Sequence, residues 1–143
     1  MQTPNVEEIL TQILSKDSRY NREAYVFLRE ALDHTQKAIA KAHKGEGRHV
    51  SGQELLEGIR QYAINLFGPM TLTVLEEWGI RRCEDFGEIV FNLVEHGLLS
   101  KTDEDSRADF QNGYDFDTAF RKPFLPERPS TPRAVQQSTE VQG

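Results

Sequence analysis

The sequence predicts a mainly α-helical domain with a small β-hairpin near its end, an α+β arrangement of five helices. Three observations carry this. Apolar residues recur at i, i+3, i+4 and i+7 in five successive windows. Each window is bounded by residues that start or stop helices. The 143 residues, 37% of them hydrophobic, supply one core and a tail but not two cores.

A first helix is expected over about 5–16, opened by Pro4 or Asn5, with Val6, Ile9, Leu10, Ile13 and Leu14 on one face. Asp17-Ser18 breaks it. Asn21 caps a longer helix reaching about 42, whose stripe is Ala24, Phe27, Leu28, Ala31, Leu32, Thr35 and Ile39. The stretch 43–50, with Gly45 and Gly47, reads as a loop. Ser51 and Glu54 have capping-box spacing, and Leu55, Leu56, Ile59, Tyr62, Ala63, Leu66 and Phe67 continue a third helix. Gly68-Pro69 closes that helix and opens a short fourth over 69–78, ended by Gly79 with Ile80 packing back. A fifth runs over about 83–96 on Phe86, Ile89, Val90, Leu93 and Val94, although 89–94 also has strand-like composition. Gly97 stops it.

Two short strands are expected next, 98–101 and 108–111. Asn112-Gly113 offers a competing pairing of Phe110 with 114–116. Helices three to five followed by two strands is the order of a winged helix-turn-helix. The folded domain is placed at 1–122. Over 123–143 a polar, largely disordered tail is expected, its prolines at 123, 126, 129 and 132 spaced by three residues. That is the period of a polyproline II helix, so the tail reads as a stiff spacer or strap, ahead of a docking strip for an aromatic groove.

Charge is regional. The net of −6 divides into zero over 1–83, −8 over 84–117 and +2 over 118–143. A lone cysteine, Cys83, excludes an internal disulfide framework and the usual thiolate zinc sites. The acidic start lacks the basic region of a secretory signal, and no apolar run is long enough to span a bilayer. A cytoplasmic protein without a membrane partner is expected.

The solvent face of the fifth helix would carry Asp85, Glu88, Asn92 and Glu95, and the hairpin Asp103, Glu104, Asp105 and Asp109. Phosphates would be repelled, so this helix is a poor groove reader. The same carboxylates form a candidate surface for a basic protein partner. The alternative is a winged-helix-like nucleic-acid-binding protein using the basic first helical pair, with Lys37, Lys41, Lys44 and Arg48 as its contacts. Acidic residues interleave the bases of the first two helices, the ordinary pattern of a solvated helix face.

The run 103–109 lacks the glycine of a calcium loop and has Arg107 where a ligand oxygen belongs, so it reads as a solvated turn. Asp85-Phe86-Gly87 matches the kinase triplet in letters only. His34, His43, His49 and His96 show no ligand pairing. Arg81, Arg82 and a helix N-terminus should lower the pKa of Cys83, but no histidine is placed beside it as a base. No residue is assigned to catalysis, cofactor or metal. The functional expectation is a non-enzymatic adaptor or regulatory module using an acidic surface.

Several stretches together resemble a small family of uncharacterised bacterial proteins found mainly in planctomycetes and verrucomicrobia. They are Asp17-Ser18-Arg19-Tyr20 with 23–28, then 49–60, Phe67-Gly68-Pro69-Met70, Glu77-Trp78-Gly79-Ile80, 85–99, 101–106 and 112–116. The resemblance covers about 17–124 and implies a bacterial, cytosolic, single-domain protein. It brings no activity, cofactor or catalytic residue.

Overall fold

A computed structural model describes residues 5–42 and 49–126. The five expected helices are present: α1 (Val6–Lys16), α2 (Arg22–Ala42), α3 (Gly52–Phe67), α4 (Thr71–Glu77) and α5 (Cys83–Glu95). Their ends follow the caps. The Asn5 side-chain oxygen accepts from the Glu7 and Glu8 amides at 2.9 and 3.3 Å. At α3 the capping box is complete: Glu54 N–H donates to Ser51 Oγ (3.2 Å) and Ser51 N–H to Glu54 Oε1 (3.0 Å). Past α4, Ile80 N–H reaches the Leu75 carbonyl at 2.9 Å and the Ile80 side chain is fully buried.

The most extensive packing is α2 against α3. α5 packs against both. Phe86, Ile89 and Leu93 have no solvent exposure, and Phe91 keeps only 8%. Burial on more than one side explains why 89–94 looked strand-like. A helix that is apolar on several faces carries the β-branched and aromatic content of a buried strand.

The hairpin is not formed. Among the described residues there is no strand. Instead of pairing with 98–101, the chain makes a 3-10 turn, Arg107–Phe110. Ser106 and Asp109 cap it reciprocally, Ala108 N–H to Ser106 Oγ at 3.1 Å and Ser106 N–H to Asp109 Oδ2 at 3.0 Å. Asn112 has φ +54°, but Gly113 has no positive φ, so the pair does not make the turn of a two-residue hairpin. The decisive contact is Phe110, which is 3% exposed. It sits where two helices lack side chains. A Cβ on Gly87 would stand 2.9 Å from Phe110 Cβ, and one on Gly52 would meet Asp109 Cβ at 2.6 Å. One buried aromatic in a two-glycine seat is worth about 2–3 kcal/mol in area alone, more than a short isolated strand pair offers.

The chain then returns over the domain. Tyr114, Phe116 and Phe120 pack on one another and on Phe86, with ring centroids 5.0–6.1 Å apart. The Tyr114 hydroxyl donates to the Leu56 carbonyl at 2.8 Å. A π-helical turn, Asp117–Arg121, carries the fully buried Phe120, and an exposed 3-10 turn follows at Lys122–Phe124. Of the prolines expected along one edge, Pro123 and Pro126 are described. Pro129, Pro132 and the rest of the tail lie outside the described residues. No described helix is long and apolar enough to cross a membrane.

Candidate functional site

The acidic residues picked out in sequence sort into two groups. Those on α5 are drawn into a network with the α1–α2 linker. Asp85 accepts from the Tyr20 hydroxyl (2.7 Å) and from the Arg81 and Arg82 amides (2.8 and 3.3 Å). It therefore starts α5 and anchors the buried Tyr20. The tyrosine's pKa rises above its usual value, first from burial and then from the Asp85 carboxylate. Asp17 takes a two-pronged contact from Arg19 (2.9 and 2.7 Å) and the Asn92 amide at 3.0 Å. The Arg19 fork holds its carboxyl well below the usual carboxylate range. Partial burial opposes this and Asn92 adds to it. Asn92 also donates to the Tyr25 hydroxyl at 3.0 Å.

Glu88 receives Arg19 on one side (3.2 Å) and Arg107 on the other (3.5 Å). Arg107 also reaches Glu95 at 3.4 Å and lies over the Phe91 ring at 5.0 Å. From the sequence Arg107 figured only as the residue that breaks a calcium-loop pattern, with no partner assigned to it. Its signal was present: it is one of two bases in a segment holding ten acids.

The second group sits on the 101–109 loop. Asp105 Oδ2 meets His49 Nε2 at 2.6 Å and accepts from the Thr102 amide at 2.8 Å. Burial alone would raise the Asp105 pKa, but Thr102 and His49 outweigh it and lower it. Asp109 is committed to its cap. Asp103 and Glu104 are exposed at the tip. The structure thus places Asp103, Glu104, Asp105 and Asp109 together along one cleft. Asp85, Glu88 and Glu95 belong to the α5 network.

Beside that cleft is a hollow of about 220 Å³, lined by polar and apolar groups alike, between α2, the start of α3, α5 and the loop. Its apolar lining includes Leu32, Leu55, Val90, Val94, Leu98 and Leu99. The signal for it in sequence was an α5 stripe wider than one packing face. Leu98 and Leu99, expected to enter a strand, instead turn back over α5, with both their amides on the Leu93 carbonyl at 2.9 and 3.3 Å.

Of the basic set, Lys37 pairs with Asp33 one turn away at 2.9 Å, and Lys41 is exposed near the end of α2. Lys44 and Arg48 lie outside the described residues. The expectation for Cys83 is corrected: its thiol is pushed up to about 11, chiefly by burial, because the side chain points into the core toward the Tyr114 carbonyl (3.4 Å). The described residues hold no group of three or more His, Cys, Asp or Glu placed to bind a metal ion. What the fold and site define is a helical domain with a capped acidic loop beside a hollow of mixed lining. No family model, no curated protein and no solved structure matches the chain.

Proposed function

We propose that this protein is a non-enzymatic interaction module that meets a basic protein partner with the acidic loop at 103–109. The observation that supports it is the sorting of the carboxylates. Arg19, Arg107 and backbone amides engage those on α5, whereas Asp103 and Glu104 stand exposed on a loop held in place by Phe110. A rigidly presented pair of like charges steers and orients a partner of opposite charge more than it adds affinity.

The nucleic-acid alternative, including a winged-helix mode, has less behind it. α5 would be the reading helix, and the side it leaves to solvent carries Glu88 and Glu95, which would repel phosphates. Lys37 is already paired on α2.

The test is affinity capture from a bacterial lysate with wild type, an Asp103→Lys/Glu104→Lys variant and a control, Glu76→Lys/Glu77→Lys, on the exposed end of α4. Loss of the captured proteins in the loop variant alone is the expected result. Equal recovery with all three removes the reading.

A further inference from the structure

The acidic cleft and the hollow beside it share one wall. His49, Ser51, Gly52, Asp105 and Asp109 line both. We infer that the hollow receives one bulky aliphatic or aromatic side chain of the basic partner, while an Arg or Lys of the same segment lies along the acidic cleft. This rests on the reading of the loop given above and names the partner's chemistry.

Size argues for a single side chain. Small-molecule sites usually enclose roughly 300–1,000 Å³, and this hollow offers about 220 Å³. Its aliphatic side suits an apolar anchor, because Leu32, Val90, Val94, Leu98 and Leu99 are only half buried there, while polar residues such as Ser51 and Lys101 form the remainder of the lining. Charge sets the neighbour. Beyond the shared wall the cleft is lined by Asp103 and Glu104, both exposed. Lys101 at the hollow's edge turns toward the Thr102 carbonyl at 3.5 Å. A purely apolar segment would leave these carboxylates unused, and a purely basic one would leave the hollow empty. Because the two depressions share a wall, a segment that fills both carries its anchor and its base close together in sequence. The seat is preorganised: Phe110, fixed between Gly52 and Gly87, lines the hollow and holds the loop beside it.

The probe is a phage-displayed library of random nine-residue peptides, selected on the immobilised full chain. Enriched peptides should pair a Leu, Ile, Phe or Trp with an Arg or Lys close by in sequence. On wild-type protein, replacing that anchor by Ala in a synthetic peptide should weaken binding about 10- to 100-fold. Replacing the base should weaken it less, and only at low salt. On the protein side, Val94→Trp should occlude the hollow and Asp103→Asn/Glu104→Gln should remove the salt-sensitive part. The peptide substitutions need no altered protein, so they decide the matter if Val94→Trp fails to fold. Basic peptides without a common anchor, unaffected by anchor replacement, would overturn the hollow's role and leave the acidic loop standing. Apolar peptides indifferent to the loop charges would overturn the pairing and the loop reading together. A selection that enriches nothing overturns both as well.

Discussion

Two acidic regions of this molecule have similar composition and opposite surroundings. On α5, Asp85, Glu88 and Glu95 face Tyr20, Arg19 and Arg107, and their charge helps hold the linker and the 107–110 turn against the helix. On the loop tip, Asp103 and Glu104 face solvent. Sign and spacing do not separate the two. What separates them is whether another part of the chain brings a donor to the carboxylate.

The comparison is broken most forcefully at Asp85. Asp85→Ala leaves the buried Tyr20 hydroxyl and two amides without their acceptor, so a loss of about 2–4 kcal/mol is expected in urea unfolding at pH 7. Next comes the joint between the regions. Gly87→Ala gains about 1 kcal/mol of helix propensity but drives a methyl into Phe110 Cβ and Cγ at 2.9 Å, and neither atom is the free end of a flexible chain. A net loss of about 1–2 kcal/mol follows. The accompanying observation is slower-protected amides becoming exchangeable in 105–111.

Asp17→Asn is smaller and depends on pH. The folded state lowers this carboxyl's pKa, so its contribution is full above the ordinary value of about 4 and is lost as pH falls below it. Wild type should exceed the variant by about 1–2 kcal/mol at pH 7, the half-exposed Arg19 keeping the figure modest. The gap should shrink steadily in unfolding curves taken below pH 4. Least affected is Asp103→Asn/Glu104→Gln, expected to stay within about 0.5 kcal/mol of wild type in thermal unfolding. A large loss there would show that the two regions do not differ after all.

How much was legible from sequence varies with the range of the interactions. The Ser51–Glu54 box and the turn at Ile80 close within five residues and appear as read, and of the two starts read for the first helix, Pro4 or Asn5, the cap falls on Asn5. The hairpin failed because its strands compete with Phe110 entering a seat built from glycines 23 and 58 residues away. Likewise Arg107 is an isolated base in the sequence, and only folding sets it between Glu88, Glu95 and the Phe91 ring. Cys83 is the same lesson in reverse. Two neighbouring arginines suggested a lowered pKa, but burial against Tyr114 sets its direction.

By itself, the sequence determined five helices, their caps and a strongly acidic segment at 84–117, because helix period and capping are local and charge is a matter of counting. Tertiary structure alone decided which carboxylates are internally partnered, that 107–110 is a turn instead of a strand, and that a hollow opens beside the loop. Those outcomes depend on groups far apart in the chain meeting within about 3 Å. Close packing and charge pairing at that range follow from the fold as a whole.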